Sequence, residues 1–109
     1  MRVKILDKFW ELEFGRVNSD QAGLCDPPDK KGKKMIIRPS LRGERCLEIV
    51  LHETLHAADY YKDEEWVAEV AEQQARIICR KDVLERVLDD SRLLERVAHI
   101  LAKHGYTKE

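Results

Sequence analysis

The most constraining feature of this chain is residues 47–61, LEIVLHETLHAADYY, in which two histidines stand four positions apart. In an α-helix, residues four apart lie on one face, so the imidazoles of His52 and His56 would project one turn above each other. Glu53 would project beside them. Because the surrounding residues are mostly apolar, the run predicts a helix that packs against a core.

The His-Glu-x-x-His pattern of residues 52–56 indicates a zinc site. Two neutral imidazoles can occupy two corners of a zinc tetrahedron. The glutamate between them is placed to act as a base on water held by the metal rather than to bind the metal itself. We therefore predict zinc as the cofactor, His52 and His56 as ligands, and Glu53 as the catalytic general base.

A catalytic zinc ion takes a third ligand from the protein. No histidine follows at the spacing of metzincins, since the chain after His56 reads Ala-Ala-Asp-Tyr-Tyr-Lys. The two remaining histidines, His99 and His104, lie far along the chain. An acidic residue of the next helix is therefore expected, which is the gluzincin arrangement.

Four glutamates of that next helix compete to be the third ligand. On a helical wheel, Glu64 borders the apolar stripe that includes Val67, whereas Glu65 and Glu69 point further from it. The register favours Glu69 instead, because folding the two helices back about Lys62-Asp63 would bring Glu69 level with His56. Glu64 is the preferred ligand, Glu65 the close alternative and Glu69 the third choice, while Glu72 points away.

The sequence alone leaves open which residues stabilise an oxyanion, orient an imidazole ligand or bind the substrate. A donor to the developing oxyanion is sought among Tyr60, Tyr61 and Arg38, although a structural role is favoured for each. Asp59 is a candidate to orient a ligand imidazole, although a structural role is favoured for it too. An extended substrate would lie along residues 35–38 if that strand forms the sheet edge above the metal.

The alternation of apolar and polar residues predicts strands before the main helix. Residues 3–6 and 9–14 alternate, with Trp10, Leu12 and Phe14 on one side of the second run. Residues 23–26 and 35–38 flank a loop that contains two prolines and four lysines, which predicts a β-hairpin with a solvated basic tip. The expected fold class is α+β, with a small antiparallel or mixed sheet of about three strands.

Helices are predicted for the rest of the chain. Ser40 is a candidate N-cap of the main helix, and Asp63 is the candidate N-cap of a backing helix that ends near Arg80. A final helical region is expected over residues 82–104, with an interruption at residues 89–91 and a stop at Gly105. The predicted inward stripes are Leu47, Val50, Leu51, Thr54, Ala58 and Tyr61 in the main helix, and Val67, Val70, Ala71, Gln74, Ile77 and Ile78 in the backing helix.

Length and composition predict one small domain over residues 1–109, near the lower limit for an independent core. The net charge of −1 gives no reason to expect nucleic acid or an acidic membrane as partner. Three widely spaced cysteines without a CxxC pair predict free thiols. Because charges interrupt the apolar residues near the first methionine, no signal peptide is expected. We expect a soluble, cytoplasmic protein without a membrane partner.

Four segments of the chain resemble those of short zincin-type metallopeptidase-like proteins of bacteriophages and prophages. They are Gly23-Leu24-Cys25-Asp26-Pro27-Pro28, Ile36-Ile37-Arg38, the Leu-His-Glu-x-x-His-Ala run of residues 51–57 and the Asp-Glu-Glu-x-Val run of residues 63–67. The resemblance covers residues 24–78. It implies a minimal gluzincin with a small sheet, an active-site helix and a backing helix that supplies a glutamate ligand.

Two functions follow from these observations. The first is a zinc-dependent metallopeptidase that hydrolyses peptide or protein substrates, which the presence of Glu53 favours. The second is a catalytically silent, zinc-stabilised binding or regulatory module of phage or prophage origin. The short chain favours the second function, because few residues remain to form a substrate cleft.

Overall fold

The computed structural model describes residues 1–103, except the side chain of Ser91, and shows an α+β fold with four strands and four helices. The chain divides into two compact units, Met1–Arg76 and a second unit that begins at Ile77. The single domain expected for residues 1–109 stays a prediction. In chain order the elements are β1 (Arg2–Ile5), β2 (Lys8–Phe14), β3 (Gly23–Cys25), β4 (Lys34–Ile37), α1 (Gly43–Ala58), α2 (Glu64–Ile78), α3 (Lys81–Leu88) and α4 (Ser91–Lys103).

The four strands form one mixed sheet in the order β1-β2-β4-β3. The strands β1 and β2 form an antiparallel hairpin, and β2 pairs with β4 in parallel. The predicted hairpin between β3 and β4 is confirmed, with Leu24 opposite Ile36. The sheet is mixed as expected, but it has four strands rather than about three.

The sheet order corrects the expected position of an extended substrate. Strand β4 pairs with β2 on one side and with β3 on the other, so residues 35–38 do not form a sheet edge. The parallel pairing with β2 continues past its end, where the Gly15 N–H donates to the Ile37 carbonyl at 3.0 Å. The exposed edge next to α1 is therefore β3.

A small apolar core lies between α1 and the sheet. It is formed by Trp10, Cys25 and Met35 from the strands together with Ala57 from α1. Burial alternates along β4, where Met35 and Ile37 are both fully buried, as expected for one face of a pleated strand. Along β2 the predicted alternation holds at Trp10 and in part at Leu12, while Phe14 is exposed.

The buried stripe of α1 differs from the predicted one. The buried positions are Ile49, Glu53 and Ala57, spaced four apart. The predicted stripe from Leu47 to Tyr61 is only partly buried, and Tyr61 is exposed. The helix is rotated because small residues set the approach of α1 to the sheet: Ala57 enters the core, and Gly23 of β3 leaves room for Ile49 and Glu53.

The two central helices begin differently. The N-cap of α1 is Arg42 rather than the predicted Ser40. The guanidinium of Arg42 donates to the carbonyls of Pro39 and Leu41, which holds the chain in a turn and delays the helix until Gly43. The predicted cap of α2 is confirmed, since the Asp63 carboxylate accepts from the Trp66 N–H at 3.0 Å.

The remaining helices follow the predicted spans with corrections in detail. In α2 the buried residues are Val67, Ala71 and Ala75, whereas Gln74 and Ile77 of the predicted stripe are exposed. The predicted interruption separates α3 from α4, and the Asp90 carboxylate accepts from the first N–H groups of α4. The stop at Gly105 lies outside the described residues, as does His104. None of the helices in residues 1–103 combines the length and apolar character needed to cross a membrane.

Gly23 is expected to be intolerant of a side chain. A Cβ at this position would lie 2.8 Å from Ile49 Cγ2, 3.0 Å from Glu53 Cγ and 3.2 Å from the Ile36 carbonyl oxygen. Overpacking of this kind costs about 1–3 kcal/mol, so Gly23→Ala is expected to lower the free energy of unfolding by that amount in urea denaturation. Gly15→Ala is the matched control, because its Cβ would make ordinary contact at 3.4 Å. Equal stability of the two variants would contradict this packing.

Candidate metal centre

Two helices bring three potential ligands together. His52 and His56 project from consecutive turns of α1, and Glu64 is the first residue of α2. The Asp63 cap fixes the start of α2 immediately before Glu64. The Glu64 carboxylate then reaches both histidines, with Oε1 2.8 Å from His52 Nε2 and Oε2 2.7 Å from His56 Nε2.

The spacing of these atoms suits a tetrahedral zinc ion. Nitrogen ligands at about 2.0–2.1 Å from zinc, separated by a tetrahedral angle, lie about 3.3 Å apart. The two Nε2 atoms are 3.2 Å apart. The oxygens of Glu64 are about half an ångström closer to the nitrogens than that spacing, so the carboxylate would move outward to admit an ion. Glu64 is free to do so, because its side chain is 69% exposed.

Among the competing glutamates, Glu64 alone joins the two histidines within residues 1–103. Its position at the helix start is the reason, since the side chain of the first residue projects back over the connection to α1. Glu65 and Glu69 are exposed and make no ion pair with either imidazole in the described chain. The binding of zinc by this group stays a prediction.

Glu53 lies beside the triad in a different environment. Its side chain is buried, with the residue 4% exposed, and its Oε1 lies 3.9 Å from His52 Nε2. The other oxygen, Oε2, is buried and has no hydrogen-bond partner in the described chain. Burial, and then the charge of Glu64, raise the pKa of Glu53 to about 7. A cation held by the triad would act in the opposite direction and favour the charged carboxylate.

The protonation of His52 also suits a metal ligand. Burial is the largest cause that lowers the pKa of His52 below its usual value, and the charge of Glu64 partly opposes it. The lowered pKa keeps the imidazole neutral at neutral pH, which is the form that binds metals.

One cavity of about 610 Å³ is lined by the three candidate ligands and the buried glutamate, which are His52, His56, Glu64 and Glu53. One wall is the sheet edge, formed by β3 and the two residues before it. The other wall is α1 from Arg45 to His56, and the connection to α2 closes one end with Tyr60 and Lys62. A cavity of this size lies within the range of small-molecule and cofactor sites.

The residues predicted to support the site differ in where they lie. Tyr60 lines the cavity, whereas Tyr61 is 84% exposed and packs edge-on against the Tyr60 ring. The guanidinium of Arg38 donates to the carbonyls of Asn18 and Ser19, and therefore holds a loop instead. Asp59 is the C-cap of α1, and within the described chain its carboxylate makes no hydrogen bond to either ligand imidazole.

The sequence analysis missed two charged residues on the α1 wall of the cavity. Arg45 and Glu48 precede His52 by seven and four residues on the same face of α1, so helical spacing could have identified them. The contribution of Gln21 and Ala22 carried no sequence signal, because it depends on the edge position of β3.

Comparison of the chain with protein-family models, with curated proteins and with solved structures found no match. The resemblance to zincin-type proteins therefore stays a prediction.

Zinc binding is the first property to measure. We expect about one zinc ion per native chain, and loss of that zinc in His52→Ala and His56→Ala. Glu64→Ala is expected to weaken zinc binding by at least about tenfold, since even changes to residues that support metal ligands have effects of this size. Elemental analysis of the purified protein would measure the zinc content, and competition with a zinc-binding dye would measure the affinity.

Glu65→Ala is the matched control for the third ligand, because Glu65 is the adjacent exposed glutamate of the same helix turn. It should bind zinc like the native chain. A loss of affinity in Glu65→Ala that is absent in Glu64→Ala would show that Glu65, and not Glu64, is the third ligand.

Proposed function

We propose that this chain is a zinc-dependent metallopeptidase with a zincin-like site, acting on peptide or protein substrates. The observation that carries the proposal is the environment of Glu53. A buried carboxylate whose Oε2 has no hydrogen-bond partner in the described chain lies beside the three candidate ligands and in the same cavity. A metal site with only a structural role needs no base in that position.

The residues divide into metal ligands and a base. His52, His56 and Glu64 would hold the zinc ion. When bound, zinc would supply Lewis acidity, which polarises a carbonyl and lowers the pKa of water toward neutrality. Glu53 accepts the proton of the attacking water and delivers it to the leaving amine. The side chain of Glu53 is confined, because it is buried and Gly23 of β3 lies close against its Cγ.

The exposed edge of β3 supports a peptide as the substrate. Strand β3 pairs with β4 on one side only, and residues 21–25 form a wall of the cavity. An extended peptide can add to such an edge through main-chain hydrogen bonds, which do not depend on its sequence. The scissile bond would then lie between the sheet edge and α1, where Glu53 is directed.

Tyr60 is the remaining candidate to stabilise the oxyanion. Of the three candidates taken from the sequence, it is the one that lines the cavity. A phenolic O–H within reach of the substrate carbonyl would donate a hydrogen bond as charge develops on the oxygen. This assignment rests on the location of Tyr60 and on the chemistry of its hydroxyl.

The alternative function is a silent, zinc-stabilised binding module. Such a module needs the three ligands but not the buried Glu53. That residue therefore favours the enzyme over the module.

Glu53→Gln separates the two functions. The amide keeps the shape of the side chain but cannot accept the proton, so we expect native zinc content and a loss of peptide cleavage of at least about 100-fold. Mass spectrometry of a proteome-derived peptide mixture would detect the cleavage products, and elemental analysis would measure the zinc.

Glu65→Gln is the control, since it makes the same substitution at an exposed glutamate of α2. It should cleave like the native chain. Equal product yields from the native chain and from Glu53→Gln would exclude the proposed catalysis and leave the binding module.

A further inference from the structure

The cavity extends along α1 well beyond the candidate ligands. Arg45 precedes His52 by seven residues, which is two helical turns and nearly the same direction on the helix. At 1.5 Å per residue, Arg45 begins about 10 Å from His52 along the axis. An extended peptide covers that length in about three residues. Arg45 therefore lies where a side chain about three residues from the scissile bond would be bound.

The carboxylates of the cavity wall are already engaged or buried. Glu64 contacts both histidines, and Glu48 accepts from Arg45 Nη1 at 2.6 Å. Glu53 is buried at the base of the site. No carboxylate of this wall is left both exposed and without a partner within the described residues.

The cations of the wall keep free donors. Arg45 is more than half exposed, and within residues 1–103 its guanidinium makes a hydrogen bond to Glu48 through Nη1 only. A guanidinium has five N–H donors in a planar fork that matches a carboxylate. Lys62 at the other end lies over the Trp66 ring and pairs with no carboxylate in the described chain. The exposed charge of the wall is therefore complementary to an anionic substrate group.

We infer that this site selects peptides that carry a carboxylate side chain about three residues from the scissile bond, and that Arg45 determines this specificity. The inference rests on the proposed peptidase function and adds the substrate class to it. The ion pair with Glu48 occupies Nη1 of the guanidinium, so its other N–H donors are available to a substrate carboxylate. The binding group is the side-chain carboxylate of an aspartate or glutamate.

Matched peptides test the inference. Starting from a peptide that the native chain cleaves, glutamate and glutamine versions are made at each position from two to five residues on both sides of the scissile bond. The quantity measured is the ratio of kcat/KM for the glutamate peptide to that for the glutamine peptide. For the native chain we expect this ratio to be about threefold to fivefold near the third position on one side, the size expected of an exposed charge pair.

Variants of Arg45 then assign the preference. Arg45→Ala should bring the ratio close to one, and Arg45→Glu should invert it so that the glutamine peptide is the better substrate. The native ratio should also fall in high salt, because screening weakens exposed charge pairs. Arg76→Ala is the matched control, since Arg76 forms a similar exposed helical ion pair with Glu72 but does not line the cavity. It should retain the native ratio.

The outcomes distinguish the two proposals. A native chain that cleaves no peptide would overturn the peptidase function, and the acid preference with it. Cleavage with a ratio near one at every position would overturn the acid preference alone. A native preference that persists in Arg45→Ala would also overturn the assignment to Arg45, while leaving the peptidase function intact.

Discussion

The close approach of β3 to α1 at Gly23 is the constraint on which the site depends. Ile49 and Glu53 occupy the space that any larger residue at position 23 would need. This contact buries Glu53 and rotates α1 so that His52 and His56 face the cavity rather than the core. It also places the free edge of β3 along the opposite wall. One residue without a side chain thus sets the position of Glu53, the candidate ligands and the exposed edge of β3 together.

Around the candidate ligands, the electrostatics of the cavity favour a cation. Three carboxylates line its wall around two imidazoles, and one of them, Glu53, is removed from water. Burial of a charge without a partner is costly, and for this reason burial raises the pKa of Glu53. A divalent ion held by the triad would favour the charged form of Glu53 and relieve the repulsion between its carboxylate and that of Glu64. Because Glu64 belongs to α2, the same ion would tie α2 to α1 and contribute to folding stability.

Local signals in the sequence were sufficient for part of this structure. The loop with Pro27 and Pro28 between two apolar runs predicted the hairpin of β3 and β4, and Asp63 predicted the start of α2. The spacing of His52 and His56 predicted their shared face. The wheel position of Glu64 pointed to the glutamate that the structure brings to both histidines.

Features that depend on distant parts of the chain were not predictable in the same way. The parallel pairing of β2 with β4 joins strands that have β3 and two loops between them in the chain, and it determines that β3 rather than β4 is the edge. The rotation of α1 depends on Gly23 and Ala57, whose small size matters only once the sheet is assembled. The start of α1 at Gly43 depends on hydrogen bonds of the Arg42 side chain. Arginine has no particular preference for this position, so the sequence could not indicate these bonds.

The most direct test of the central claim is X-ray absorption spectroscopy of the zinc-loaded native chain. If His52, His56 and Glu64 hold the metal, the spectrum will show two imidazoles and oxygen donors at about 2.0–2.2 Å, without a sulfur shell near about 2.3 Å. The sulfur shell is the informative contrast, because Cys25 lines the same cavity. A sulfur ligand, or fewer than two imidazoles, would contradict the ligand set and the catalytic arrangement built on it.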